Sequence, residues 1–324
     1  MKTLLWVLLD DRMGSVGQAK GIIQALPEDV EIIEKQVTYT KWAKLPNIIR
    51  GRSLIGVDTS KSSSLDTPYP DIVLSTSRRT TPIARMIKKK SKNKTKIVQL
   101  MHPGNAGIKE LDMIIVPEHD AKKCKGNNFF LITGCPHRVT SKRLKEATDQ
   151  WAKVFADLPK PLTSIIIGGA IKGKPFSIEN AAELGKQIKR IHNTLGGSLL
   201  ITTSRRTGEQ AQQVIMDEIK DIPMHTFLWG EKKENPYMGY LACGDKIVIT
   251  GDSVSMCSEA CGTGKPVLIF EGANWLTPKH LRFTKSLFEG NFATHISHPN
   301  ALDFMPSQTL NTANEIAKKI LEIR

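Results

Sequence analysis

The chain has 324 residues, room for two domains of ordinary size, and its 40% hydrophobic and 24% charged content is that of a soluble globular protein. Basic residues outnumber acidic ones 46 to 32, and the net charge of +14 suits an anionic partner: nucleic acid, a membrane surface or a phosphorylated substrate. No apolar run approaches the roughly 18–20 residues of a membrane span, and five cysteines without a C-x-x-C pair argue against zinc and for reduced thiols.

Residues 3–9 form an apolar strand. The stretch imitates a secretory signal, but Asp10-Asp11 follows at once and no small-residue cleavage site appears, so it reads as a buried first strand of a cytoplasmic protein. A loop over residues 10–18, with Gly14 and Gly17, leads into a helix that Pro27 stops. Strand, glycine-containing loop and helix open a doubly wound domain. Gly14-x-x-Gly17 is too sparse for a dinucleotide fingerprint, which wants three glycines. A strand over 30–38 precedes a polar, basic, serine-rich surface loop over 42–66 with a short helix.

Strand 71–76 ends in Ser77-Arg78-Arg79-Thr80, and the next helix ends in Lys88-Lys89-Lys90, followed by Lys92, Lys94 and Lys96. This lysine run is either a solvated helix end or a contact for anionic lipid. No aromatic residues interleave it for base stacking, which argues against nucleic acid. Strands follow at 95–101, running into His102-Pro103-Gly104, at 112–116 and at 128–133, and helix 141–156 closes the first half. Leu158-Pro159-Lys160-Pro161 is linker-like.

The pattern then restarts. Strand 164–167 ends in Gly168-Gly169, Ser177 caps a helix that stops at Gly196-Gly197, and strand 198–203 carries Ser204-Arg205-Arg206-Thr207. That phrase repeats the first one 127 residues later, again between an apolar run and a helix. A helix to about 219, strand 225–229, helix 237–242, strand 246–250, helix 255–262 and strand 266–270 complete the unit, and helix 311–323 ends the chain. The expected fold is α/β: two Rossmann-like domains with mostly parallel sheets facing a cleft. Residues 1–158 form the first, 162–309 the second, and 310–324 a terminal helix packing on the first.

In such sheets ligands bind beyond the carboxyl ends of the strands, where helix N-termini favour anions. The most specific block lies at one of these edges, from Thr250 through Gly251, Asp252, Ser253, Val254, Ser255, Met256, Cys257, Ser258 and Glu259, then Gly264-Lys265-Pro266-Val267. Hydroxyl residues in a turn before a helix suit a diphosphate. Glu259, about one turn into the helix, is placed either to accept from a ribose diol or simply to meet the helix dipole.

With its surroundings this block resembles the donor site of GT-B glycosyltransferases. The phrases DDRMGSVGQAKGI, STSRRT, QLMHPG, IGG, TTSRRT, ENPYMGYLACGDKIVITGDSVSMCSEA and GKPV, spread from residue 10 to about 270, resemble the mitochondrial fission (elongated-mitochondria) family and its bacterial relatives described as glycosyltransferases. The resemblance implies a nucleotide-sugar donor as substrate, with no separate cofactor. Gly168 and Gly169 would approach its diphosphate, with Ser204, Arg205, Arg206, Ser253, Ser255 and Met256 contacting it and Glu259 the ribose. The base would lie near Trp229-Gly230-Glu231.

The first domain would take the acceptor through Gly14, Ser15, Gly17, Gln18, Ser77 and Arg78. Asp11 is preferred to His102 as general base. No D-x-D pair follows an apolar strand, so a metal-independent reaction is expected. The expected activity is glycosyl transfer to a lipid-linked or lipopolysaccharide-type acceptor, at the inner membrane face and with contact to anionic lipid. Two alternatives stand: a non-catalytic membrane-peripheral adaptor in division or fission, and a nucleotide-sugar epimerase of the same fold.

Overall fold

The computed structural model describes residues 2–323. The chain divides into two compact units, one running to Arg138 and resuming at Asn311, the other Val139–Leu310.

The first unit contains β1 (Thr3–Leu9), α1 (Met13–Ala25), β2 (Val30–Gln36), the short α2 (Asn47–Arg50), β3 (Ile72–Ser75), α3 (Thr81–Lys90), β4 (Lys96–Leu100), β5 (Met113–Pro117) and β6 (Phe129–Ile132). Its six strands are all parallel, in the order β2-β1-β3-β4-β5-β6. Parallel sheets are covered on both faces, so their central strands read as continuous apolar runs rather than alternating ones. Accordingly Leu5, Trp6, Val7, Leu8 and Leu9 of β1 are all buried.

The second unit begins with α4 (Ser141–Trp151) and continues through β7 (Leu162–Ile167), α5 (Ile178–Leu195), β8 (Ser198–Thr203), α6 (Glu209–Ile219), β9 (Met224–Phe227), α7 (Tyr237–Cys243), β10 (Lys246–Thr250), α8 (Val254–Cys261), β11 (Val267–Phe270), α9 (Pro278–Glu289) and β12 (Thr294–His295). Its parallel sheet has the order β12-β11-β10-β7-β8-β9. Ser177 Oγ accepts the Asn180 amide at the start of α5, and Gly196 (φ 69°) ends that helix. Gly197 (φ 79°) then turns against Pro161, whose backbone would collide with any Cβ there.

The last helix, α10 (Thr312–Glu322), belongs to the first unit. Ile316 and Ile320 are fully buried in the cluster that holds Leu5, Val7 and Ile22, and Thr312 Oγ1 donates to the Thr133 carbonyl at 2.8 Å. Burying two isoleucines contributes about 3–6 kcal/mol to holding it there.

Four sequence expectations need correction. α1 starts at Met13, so Gly14, Ser15, Gly17 and Gln18 are helical rather than a loop. Nothing lies within 4 Å of where a Cβ would stand at Gly14 or Gly17, so these glycines answer no packing demand. The helix expected over 141–156 ends at Trp151 and belongs to the second unit, where Gly239 of α7 packs against the Trp151 ring. The boundary therefore falls at residue 138 rather than 158. Finally, α9 and β12 occupy a stretch in which no element was expected. Thr277-Pro278 was the available signal, since proline is favoured in the first turn of a helix.

Candidate functional site

In each sheet the strand order reverses once, between β1 and β3 in the first and between β7 and β10 in the second. Crossovers leave opposite faces of the sheet there, and the carboxyl ends of the two strands border a crevice. Both copies of the repeated phrase lie beside these points, and both fold into the same self-bonded turn. The Ser77 amide donates to Thr80 Oγ1 (3.0 Å), the Arg79 amide to Ser77 Oγ (3.2 Å) and the Thr80 amide to the Ser77 carbonyl (3.2 Å). In the second copy the Ser204 amide donates to Thr207 Oγ1 (3.0 Å), the Arg206 amide to Ser204 Oγ (3.1 Å) and the Thr207 amide to the Ser204 carbonyl (3.0 Å).

The two arginines of each copy divide their work in the same way. Arg206 Nη2 pairs with Asp252 Oδ2 at 2.8 Å while Nη1 donates to the Ala170 carbonyl at 2.9 Å. Arg79 pairs with Asp10 (3.2 Å) and with Asp11. Asp10 and Asp252 are buried at the strand ends, so in each unit the second arginine neutralises a carboxylate that burial would otherwise penalise. The first arginines, Arg78 and Arg205, are exposed and make no ion pair among the described residues. Arg206 is thus an internal strut rather than a free phosphate ligand. Ser204 Oγ donates to the Gly168 carbonyl at 2.9 Å, so it too is taken up within the turn.

Around Asp252 the second unit is tightly built. The Gly169 amide donates to Asp252 Oδ2 (2.9 Å), Thr250 Oγ1 donates to Asp252 Oδ1 (2.7 Å), and the Gly168 amide donates to Thr250 Oγ1 (2.7 Å). A Cβ on Gly168 would collide with the Asp252 carboxylate, and one on Gly169 with the Arg206 carbonyl. These glycines therefore serve a backbone close approach to Asp252 and Arg206. Ser253 caps α8, its Oγ accepting the Met256 amide at 3.4 Å, while Ser255 is exposed in the first turn. Met256 thus spends its amide on the cap.

Glu259 follows one turn later. Burial pushes its carboxyl above the ordinary range, opposed by Tyr237 Oη, which donates to Oε2 at 2.6 Å, and by the charge of Arg143. Lys265, part of the GKPV phrase, donates to the Ala242 and Gly244 carbonyls at the end of α7, at 2.5 and 2.6 Å. It closes a helix instead of meeting a ligand.

The sequence reading missed three groups here. Asp252 organises the crevice, Tyr237 holds Glu259, and His280 lies within electrostatic reach of Asp252, Lys172 and Arg206. Burial keeps the His280 imidazole below its usual pKa, hence neutral at pH 7, and its Nδ1 lies 2.7 Å from Thr277 Oγ1. Asp252 and Tyr237 stood inside a recognised phrase, whereas His280 did not. In the loop after β9, the Trp229 amide donates to Thr203 Oγ1 at 2.8 Å and the indole is 61% exposed. Beside Arg206 a cavity of about 740 Å³ opens between the first turns of α5 and α6, lined by Ser177, Glu179, Gly208 and Glu209 among others.

In the first unit both candidate bases change character. Hydrogen bonding to Arg79 holds the Asp11 carboxyl below its ordinary value, which makes it a weaker base. His102 Nδ1 accepts the Gly104 amide at 3.2 Å, and its Nε2 is buried without a hydrogen-bond partner among the described residues. Ser77 and Ser15 are buried, while Arg78, Gly14 and Asp11 are exposed. Of the lysine run, Lys88 and Lys96 pair with Asp112 at 2.6 and 3.6 Å, leaving Lys89, Lys90, Lys92 and Lys94 exposed. Among the described residues no group of three or more His, Cys, Asp or Glu side chains is placed to share a metal ion. No helix among them is long and apolar enough to cross a membrane.

The family profile described as "Mitochondrial fission ELM1" matches residues 13–323. The chain belongs to the mitochondrial fission ELM1 family. It is 34% identical over 241 residues to the Mitochondrial fission protein ELM1 of Arabidopsis thaliana, a match spanning 68% of this chain and 56% of the plant protein. The chain thus accounts for little more than half the length of that ELM1 relative. It is also 29% identical over 354 residues to Uncharacterized protein RP120 of Rickettsia prowazekii, covering 98% and 97% of the two chains.

Among solved structures, the UDP-GlcNAc 2-epimerase of Neisseria meningitidis bound to UDP-GlcNAc aligns with a TM-score of 0.54 at 14% identity over 99% of both chains. The UDP-GlcNAc 2-epimerase of Methanocaldococcus jannaschii aligns at 0.56 and 12% identity, covering 99% and 100%. MurG of Acinetobacter baumannii aligns at 0.52 and 11%, covering 98% and 99%. Likeness at such identities shows the fold, and this ELM1-family chain has the GT-B type with two Rossmann-like units.

Proposed function

We propose that the second unit binds the nucleoside diphosphate of a nucleotide sugar and that the chain is an enzyme acting on that sugar. One observation carries the reading. The β7–β10 reversal leaves a crevice at the carboxyl edge of the sheet where α8 begins, Arg205 stands exposed at the end of the neighbouring β8, and Glu259 sits one turn into α8, accepting from Tyr237 Oη. Helix N-terminal amides and an arginine fork favour a diphosphate, while a carboxylate accepts from a ribose diol. Trp229 offers an exposed ring for a base. Gly168, Gly169, Ser253 and Ser255 shape the phosphate wall.

The fate of the sugar separates two reactions. Transfer to an acceptor hydroxyl, on a lipid-linked or cell-envelope acceptor at the inner membrane face, asks for a base in the first unit. The ion pair at Asp11 and the occupied Nδ1 and buried Nε2 of His102 weigh against both candidates. Isomerisation of the nucleotide sugar asks for proton transfer at one sugar, and His280, whose pKa burial lowers, is a titratable imidazole within electrostatic reach of Asp252 and Arg206. The two epimerase likenesses favour the same reading. Epimerisation is therefore the better-supported reaction, and transfer the second.

Incubating the chain with UDP-GlcNAc in heavy water distinguishes them. Deuterium entering the sugar with no acceptor present supports isomerisation. Uridine diphosphate released only on addition of an acceptor supports transfer. If no nucleoside diphosphate or nucleotide sugar binds, the non-catalytic fission adaptor replaces both.

A further inference from the structure

The segment between Tyr39 and Val57, which pair as an antiparallel bridge, is an excursion from the sheet within the first unit and holds no acidic residue. Its outward side carries Trp42, Ile48, Ile49 and Ile55, respectively 58%, 78%, 58% and 46% exposed, beside exposed Lys41 and Lys44. Large apolar side chains held this far out of a folded unit mark an interaction surface.

Its inward side is just as unusual. Arg50 is 1% exposed, and its Nε donates to the Ile55 carbonyl at 2.8 Å. Neither Nη1 nor Nη2 meets an acceptor among the described residues. A buried guanidinium without a carboxylate is costly unless an anion approaches it. The carboxylates around this edge are engaged by other arginines, Asp10 and Asp11 by Arg79 and Glu110 by Arg52 and Arg85. Burial holds the Arg50 pKa below the usual arginine value, with Arg78 and Arg79 adding to the effect and Tyr39 opposing it. Tyr39 Oη and Asn47 Oδ1 are likewise buried without partners.

At α2 a cavity of about 370 Å³ is lined by Asn47, Ile48, Arg78, Pro103 and Ala106 among others. Arg78 supplies a cation at its wall with no ion pair among the described residues, and Arg50 lies within electrostatic reach of Arg78. The other lining groups are mostly apolar and continue onto Ile48, the most exposed large hydrophobic residue of the excursion.

We infer that this cavity and the surrounding excursion bind the phosphate headgroup of an anionic membrane lipid, with Arg78 on the phosphate and Ile48, Ile49 and Trp42 seated among the acyl chains. Cation and apolar surface lie side by side, which is the complement of an amphiphile carrying a phosphate. The inference does not depend on what the second unit binds.

Flotation with phosphatidylcholine vesicles, with and without phosphatidic acid, tests it on the whole chain. The chain should float with phosphatidic acid and not without it, and Trp42 emission should shift to the blue, a shift absent in Trp42→Phe. Arg78→Gln should weaken binding by about tenfold or more, the loss of one charge-assisted contact. Ile48→Glu should abolish it. Both residues are exposed, so both variants should keep the wild-type circular dichroism and melting point. Arg205→Gln, in the other unit, should float like wild type. Short-chain phosphatidic acid should compete far better than glycerol phosphate. The inference is overturned if phosphatidic acid vesicles do not bind, if binding ignores Arg78→Gln and Ile48→Glu, or if glycerol phosphate competes equally well.

Discussion

Removing the Asp252 carboxylate should loosen the second unit before it touches any chemistry. The group is wholly buried and accepts from the Gly169 amide at 2.9 Å, Thr250 Oγ1 at 2.7 Å and Arg206 Nη2 at 2.8 Å. Breaking a buried ion pair by deleting one partner costs about 3–5 kcal/mol. The Arg206 side chain is 38% exposed, so water can re-solvate part of the stranded charge and the lower half of that range applies. Asp252→Ala should therefore cost about 3–4 kcal/mol. Asp252→Asn, which keeps an acceptor for the Gly169 amide, should cost about half as much. For a unit of this size the alanine variant should lower the melting point by roughly 10 °C. The two units need not unfold together, so hydrogen exchange at β7 and β10 amides is the right readout, because it reports the second unit alone. Arg206→Gln should mimic Asp252→Asn. A loss under 1 kcal/mol in Asp252→Ala would refute the strut. So would an Arg206→Gln variant of unchanged stability that binds nucleotide more weakly than Arg205→Gln does.

Arg205→Gln should leave stability unchanged and weaken nucleoside diphosphate binding by about tenfold, measured by calorimetry. Burial raises the Glu259 pKa, so its ionisation opposes folding as pH rises from about 4.3 through the raised folded value. Glu259→Gln should accordingly be more stable than wild type at pH 7 and equal to it in acid, by denaturant melts across pH. Asp11 is the opposite case: its lowered pKa stabilises at neutral pH and the gain disappears as pH falls through the depressed value, so Asp11→Asn should flatten the acid limb of the stability curve. Gly169→Ala should prevent the second unit from closing around Arg206, read as a lost or strongly lowered melting transition.

The parallel sheets were legible because β1, β7, β8 and β10 are buried on both faces and so appear as unbroken apolar runs. The repeated SRRT phrase pointed to the right sheet edges but not to its own role. Serine, threonine and the second arginine are consumed by the turn and a buried aspartate, and nothing in a linear phrase tells a strut from a ligand contact. Asp252 was passed over because its partners, Gly169 and Arg206, are 83 and 46 positions away. Tyr237 and Glu259 come together only through the packing of α7 against α8. In the first unit the start of α1 at Met13 was not legible because Gly14 and Gly17 suggest a loop, although neither φ is positive. Arg50 gave no signal at all, since only tertiary burial distinguishes it from any loop arginine.

Calorimetric titration of the intact chain with uridine, guanosine, adenosine, cytidine and thymidine diphosphates bears most directly on whether the edge of the later sheet holds a sugar nucleotide. One of the five should bind with a single site per chain and lose affinity in both Arg205→Gln and Glu259→Gln. Heat traces flat for all five, or a bound nucleotide indifferent to both substitutions, would contradict the assignment.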